Sequence, residues 1–395
     1  MAFKILQITN KPPFPAVDGG CLEIAKMSTF FDQNENFDLD IFTVSTNKHP
    51  FRKSDFDANL SSETKVYNTT VNSKPTLVGV LNSFFSSDSY NLNRYVTKEI
   101  EEFLISLIKK NNYHFIQFES IYAAQFVSFL APHTDAKFIL NAPNVEFNLW
   151  KQQASKAKFL KKWYFNSLAK KLKRKELSIW RKMHGIVCIT ENIKNTISDF
   201  KIKTPTLVLP FALNVDFYKP NSTGNSSPTF FHIGAMDWAP NKEGINWFLS
   251  QIWDSLSLDK PIHLAGKELK VTDYNSDSVS VHGFVKNAQD FINSHDIMIV
   301  PLLSGSGMRI KIIEAMALEK CVISTSKGAE GIKYTDKENI WIADTADEFK
   351  QAITTLNSNL ELAVQIGING RKLVKNEYNT VNLESNLVPF YSSLK

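Results

Sequence analysis

The stretch Val300-Pro-Leu-Leu-Ser304-Gly-Ser-Gly307-Met-Arg309-Ile-Lys311-Ile-Ile-Glu314-Ala-Met-Ala317, continued by Cys321-Val-Ile-Ser-Thr-Ser-Lys-Gly-Ala-Glu-Gly-Ile332, decides how this chain is read. The apolar run over 296–303 predicts a buried strand. Ser304 to Gly307 predict a small-residue turn, and a helix is expected from near Met308 with Arg309, Lys311 and Glu314 in its first two turns. Such a turn leaves backbone N–H groups pointing outward at a helix N-terminus, where an anion is favoured. Arg309 and Lys311 add positive charge, and Glu314, one turn on, can accept from sugar hydroxyls. Together they suit a ligand carrying both phosphate and ribose.

Working outward, short apolar runs alternate with helical patterns along the whole chain, the mark of parallel βαβ units. In the first half strands are expected at 3–9, 39–44, 115–118, 137–140, 185–189 and 206–209. A loop is expected over 10–20, helices over 22–31, 98–109, 122–129 and 191–200, and a polar surface insertion over 46–75. A long basic helical region is expected over 150–182. The polar stretch 221–228 reads as a linker. The pattern then restarts, with strands at 230–234, 262–265, 278–282, 297–301 and 321–325, and helices near 242–256, 288–294, 308–318 and 346–356. These readings divide the chain into 1–220, 221–378 and a helical tail over 379–395.

At 395 residues the chain is too long for one ordinary core, and two α/β domains fit. Three well-separated cysteines, Cys21, Cys188 and Cys321, predict buried thiols and no disulfide framework. No run approaches the ~20 apolar residues of a membrane span. The N-terminus has no signal-peptide layout, so cytoplasmic residence is expected. The net charge of +5 conceals a segregation: residues 151–182 hold twelve Lys or Arg and one acid, Glu176. A lone basic stretch on a mildly acidic remainder points to a partner surface, and no general nucleic-acid affinity is expected. Two Asp-x-Asp triplets, Asp38-Leu39-Asp40 and Asp55-Phe56-Asp57, are too common by chance to predict a metal site, and none is expected.

The 300–332 stretch resembles the donor-site signature of retaining glycosyltransferases of the GT-B fold, in particular the large family four (group 1). Other matches follow in order: Pro12-Pro13-Phe14-Pro15 with Asp18-Gly19-Gly20, then Asn144-Val145-Glu146, then Gly234-Ala235-Met236-Asp237-Trp238 with Pro240-Asn241. The resemblance implies two Rossmann-like doubly wound domains facing a cleft, and a C-terminal helix that crosses back to the first domain. It implies transfer, with retention and without metal, from a UDP- or GDP-sugar to a glycan or lipid-linked acceptor in polysaccharide or glycoconjugate synthesis. No cofactor beyond the donor substrate is expected. By the same resemblance Arg309, Lys311 and Glu314 carry the catalytic and donor contacts. Gly19, Gly20, Gly234, Gly305, Ser306, Gly307 and Met308 form the donor-binding backbone, and Asn144 and Glu146 lie on the acceptor side, with helix capping as their alternative role.

Three positions depart from the family pattern. Many relatives carry a glutamate where Ser306 stands, an arginine where Ala235 stands, and a histidine where Pro143 stands. Charge need alone suggests Arg309 as the replacement for the cation missing at 235. The region Lys156 to Lys182 interleaves Phe159, Leu160, Trp163, Tyr164, Leu168 and Leu172 with lysines. It predicts a docked helix with a charged face, or a face for an anionic membrane surface, which would place the protein at the inner side of the membrane. Two rival readings share the scaffold: an enzyme of the nucleotide-sugar epimerase type, and a catalytically silent nucleotide-binding partner of a glycan-assembly complex.

Overall fold

The alternating pattern resolves into two parallel sheets in a computed structural model that describes residues 2–72, 95–221, 224, 227–274, 276–305 and 307–395. The first sheet contains β1 (Phe3–Thr9), β2 (Phe37–Ser45), β3 (Lys65–Thr70), β4 (Phe115–Phe118), β5 (Lys137–Ala142), β6 (Gly185–Cys188) and β7 (Thr206–Val208). The second contains β8 (Phe230–Ile233), β9 (Ile262–Ala265), β10 (Val279–Gly283), β11 (Ile297–Val300), β12 (Cys321–Ser324) and β13 (Trp341–Ile342). Their orders are β3-β2-β1-β4-β5-β6-β7 and β10-β9-β8-β11-β12-β13. In each, the winding reverses beside the first strand, between β1 and β4 and between β8 and β11. Crossovers leave in opposite directions there, which opens a crevice at the carboxyl ends of the strands. Every residue of β4, β6, β11 and β12 is buried. Strands of a sheet covered on both faces are mostly apolar, as throughout β11, although Gln117 and Ser324 stand within β4 and β12, and this made them readable.

The chain divides into two compact units, residues 1–210 with 383–395, and residues 211–382. The division falls ten residues before the expected boundary because 211–220 is tied to the second unit. Leu213 N–H donates to Tyr378 O at 2.8 Å, and Arg371 donates to Tyr218 O at 2.7 Å. Of the expected linker, Asn221, Gly224, Ser227 and Pro228 therefore lie within the second unit, and the other four residues lie outside the described ones. The C-terminal helix Val381–Ser393 ends in the first unit. Its Tyr391 is fully buried, edge-on to Phe115 at 4.8 Å and Phe37 at 5.3 Å. The Tyr391 hydroxyl donates to Gln117, which with Gln7 donates to the buried Glu119 carboxylate at 2.6 Å, while Asn141 donates to its other oxygen at 2.8 Å. These donors offset the desolvation of Glu119 and join β1, β4, β5 and the last helix.

Part of 46–75 is not an insertion. Lys53–Asp57 is a short helix, and Lys65–Thr70 is an edge strand paired parallel to β2, half-exposed and therefore polar in composition. The basic region breaks into two helices, Glu146–Lys156 and Phe159–Trp180, the second opening on Phe159 at φ +44°. The helix Leu360–Glu377 was not anticipated, since Gly367 and Gly370 interrupt its pattern. All three cysteines are free and buried, as expected. Asp40 of the first Asp-x-Asp triplet accepts from Tyr113 Oη at 2.6 Å inside the sheet. Among the described residues no helix is long and apolar enough to cross a membrane.

Candidate active site

The end of β11 delivers the chain into the turn 304–308 at the winding reversal of the second sheet. Ser304 Oγ donates to Glu243 Oε2 at 2.7 Å, anchoring the turn to the helix Ala239–Gln251. Gly305 sits at φ +102°, and a Cβ there would come within 2.9 Å of both Arg309 Nη2 and the Trp238 ring. Only glycine fits that position. Ser306 lies outside the described residues. Gly307 also has positive φ, and Met308 is buried. The helix starts two residues later than expected, at Ile310, with Arg309 in extended conformation at its N-cap. Its first N–H groups have no intrahelical acceptor and set a partial positive charge at the crevice.

Arg309 is only 7% exposed, its guanidinium lies 5.0 Å from the Trp238 ring centroid, and Nη1 donates to Gly307 O at 2.6 Å. Burial lowers its pKa to about 10, which leaves it charged at neutral pH. This side chain braces the turn from within.

The cation beside Gly234 is Lys311. Its Nζ donates to Ile233 O at 3.1 Å and Asn241 Oδ1 at 3.0 Å and stands 3.4 Å from His232 Nε2. His232 Nδ1 is 2.8 Å from Ile299 O, so it carries the ring proton and leaves Nε2 as an acceptor facing the ammonium. Asn241 Nδ2 in turn donates to Ala235 O at 2.9 Å. Gly234 has no side chain to intrude, since a Cβ would lie 3.0 Å from Lys311 Nζ. No carboxylate among the described residues pairs with Lys311. Burial, helped by nearby Arg309, therefore lowers its pKa to about 7. A lysine held only by neutral acceptors is set to receive an anion. The sequence suggested Arg309 for the cation missing at 235; the structure sets Lys311 Nζ beside Gly234, and Arg309 against the Trp238 ring and Gly307 O.

Glu314, one turn further, accepts from Tyr218 Oη at 3.0 Å through Oε1. Its Oε2 has no partner among the described residues. Burial raises its pKa and the Tyr218 hydrogen bond partly offsets this.

Arg309, Lys311, Glu314, Gly234, Gly305, Gly307 and Met308 all belong to the second unit, while Gly19, Gly20, Asn144 and Glu146 belong to the first. The expected loop at Gly19 and Gly20 is instead the first turn of the helix Gly19–Gln33, capped by Asp18, which accepts from Cys21 N–H at 2.8 Å. Lys11 Nζ holds the Asp18 carboxylate at 2.6 Å. Glu146 opens the helix Glu146–Lys156, but neither it nor Asn144 caps it. The cap is Glu176, whose two oxygens accept from Glu146 N–H and Phe147 N–H, both at 3.1 Å. The one acid of the basic stretch is thus a buried cap, and burial with the neighbouring Glu146 raises its pKa to about 8. Glu146 Oε2 accepts from Tyr122 Oη at 3.0 Å.

The sequence reading missed His232, Tyr218 and Glu243, although Trp238 and Asn241 lay in a quoted motif. His232 stands inside an apolar strand, where its spacing gives no sign of function.

Residues 227–359 match the family described as "Glycosyl transferases group 1". An uncharacterized 44.6 kDa protein in the cps region of Klebsiella pneumoniae is 22% identical over 169 residues, which cover 39% of this chain and 44% of that protein. The chain thus spans less than half the length of this curated relative. Among solved structures, sucrose-phosphate synthase from Thermosynechococcus elongatus matches with a TM-score of 0.73 at 14% identity, over 99% of both chains. Anabaena HepE in complex with UDP-glucose matches with a TM-score of 0.70 at 12% identity, again over 99% of both.

Proposed function

We propose that this chain, a GT-B protein carrying a group 1 glycosyltransferase domain in its second unit, transfers a sugar from a UDP- or GDP-sugar to a glycan or lipid-linked acceptor. The observation that carries the reading is Lys311, a largely buried lysine without a counter-ion, at the winding reversal of the second sheet. A donor diphosphate supplies that counter-ion. The charge that grows on the leaving phosphate as its bond to the anomeric carbon breaks is met by Lys311 and the N-terminus of the helix Ile310–Ala317, without a catalytic metal. Arg309 holds the turn and adds charge behind it. The free oxygen of Glu314 accepts from the ribose hydroxyls, and Tyr218 fixes its direction. Gly19 and Gly20 are assigned donor contacts, and Asn144 and Glu146 acceptor contacts, by resemblance alone. The acceptor hydroxyl attacks the face the diphosphate leaves, so configuration is retained. The HepE complex with UDP-glucose and the cps-region relative support a nucleotide-sugar donor and a polysaccharide product.

Incubation with a panel of UDP- and GDP-sugars and oligosaccharide or lipid-linked acceptors, followed by mass spectrometry, tests this. The expected result is free nucleoside diphosphate together with acceptor heavier by one sugar, its new anomeric centre matching the donor by NMR. Conversion of donor without release of diphosphate would identify the epimerase-type enzyme instead, and no turnover of any donor would identify the silent partner.

A cytoplasmic protein working on a lipid-linked acceptor meets a membrane, and the basic arm offers the surface. Phe159 is 90% and Trp163 63% exposed, one helical turn apart, among the exposed Lys158, Lys161 and Lys162. Removing both rings (Phe159→Ser with Trp163→Ser) is expected to weaken binding to anionic vesicles at least ~10-fold, given about 1.5–3 kcal/mol for each buried aromatic. Equal binding of the wild type to anionic and neutral vesicles in co-sedimentation would remove this role.

A further inference from the structure

Three of the eight histidines converge in the second unit, away from the carboxyl-end turn that carries Lys311. His263 lies early in β9, and Ser280 of β10 is its registered neighbour. The register of β10 shifts between Val281 and Gly283, and His282 there brings Nε2 to 3.3 Å from Ser280 Oγ, on the side of His263. His263 Nδ1 stands 3.0 Å from His282 Nε2. His295, just beyond the helix Ala288–Asn293, brings its ring to 4.4 Å from that of His263. One nitrogen from each of the three lies within 4.8 Å of the others.

The hydrogen bonds prepare these nitrogens for a cation. His295 Nδ1 is 2.7 Å from Phe291 O and donates to it, which leaves Nε2 with a bare lone pair. A backbone carbonyl on the far nitrogen is the usual outer-shell partner of a metal-bound imidazole. His263 and His282 face each other nitrogen to nitrogen, so one proton lies between them. Moving it to the far nitrogen of its own ring turns both lone pairs inward at no cost in net charge. Phe291 and Phe231 wall the cluster, at 4.6 and 5.4 Å from the His295 ring, while His282 is exposed and leaves an entry.

We propose that His263, His282 and His295 form a zinc site with three imidazole ligands and a fourth position open to water beside His282. The ion would pin β9, β10 and the segment after Ala288–Asn293 together. The other cluster of metal-ligating side chains, Asp18, Cys21 and His49, carries no such proposal, because the Lys11 ammonium already occupies Asp18. The zinc site is independent of the proposed transfer, which needs no ion.

The test uses the full chain freed of affinity-tag histidines, first with Co2+ as an optical probe and then with Zn2+ by calorimetry. Tetrahedral cobalt bands, one zinc per chain and a zinc-dependent rise in melting temperature are expected. His282→Gln, at an exposed position, and His263→Asn should each weaken zinc binding at least ~100-fold, the upper end of what an outer-shell loss costs. No cobalt bands with the wild type, or zinc affinity unchanged in His282→Gln, would overturn the proposal. Should His263→Asn not fold, imidazole 15N shifts of the wild type decide: perturbation of three rings on adding Zn2+ is expected, and shifts of fewer than three contradict the site.

Discussion

Lys311→Met is expected to reduce transfer by about 10²–10³-fold, or roughly 2.7–4 kcal/mol of transition-state stabilisation, while the protein stays folded. Three neutral acceptors, Ile233 O, Asn241 Oδ1 and His232 Nε2, hold the ammonium without cancelling its charge. Removing a half-buried cation that has no counter-ion relieves a desolvation cost, so stability should hold or rise. A merely structural lysine would give the opposite pattern, with lower stability and little change in rate. The pKa of about 7 adds a second signature. A bound diphosphate favours the charged form, so nucleotide binding above pH 7 should take up as much as one proton, and affinity should fall as pH rises from 7 to 9. Calorimetry in buffers of different ionisation enthalpy reads that proton, and Lys311→Met should abolish it. The same depressed value makes folding stability climb with pH between about 7 and the ordinary 10.5, because only the unfolded chain holds the proton there. That slope should also vanish in the variant.

Gly266→Ala carries the largest expected effect on stability. Gly266 has φ +151°, and a Cβ would lie 1.8 Å from Gly234 O. Backbone cannot yield there without moving Gly234, which borders Lys311, His232 and Asn241. Strain and overlap together should cost on the order of 4 kcal/mol. Urea unfolding of the variant would show the loss, together with weakened nucleotide binding if the folded form survives. Wild-type stability in this variant would mean that β8 and the segment after β9 do not approach as described.

What the sequence made legible was local. Mostly apolar runs marked β4, β6, β11 and β12, despite Gln117 and Ser324, because a sheet covered on both sides favours them. The small-residue turn and Arg309, Lys311 and Glu314 were readable because turn chemistry and helical spacing are written within a dozen residues. Partners supplied from afar were not. Lys311 meets His232, Ile233 and Asn241 from at least 70 residues away, and Tyr218 reaches Glu314 across 96. The cap of the helix Glu146–Lys156 went to Glu176, about 30 residues on, while local reading offered Asn144 or Glu146. Edge strand β3 was hidden by its own solvent face, whose polar residues read as a loop. Arg309 was correctly placed beside the turn, yet its burial against Trp238 depends on Gly305, whose role appears only once φ is known.

The most direct test of the central claim is calorimetric titration of the protein with UDP and with GDP, alongside Glu314→Ala. The account predicts binding of one of the two nucleotides, weakened by about tenfold or more when Glu314 is removed, consistent with losing hydrogen bonds between ribose hydroxyls and a charged group. Absence of binding to either nucleotide, or equal affinity in the variant, would contradict the assignment of a donor site to the turn 304–308 and the helix that follows it.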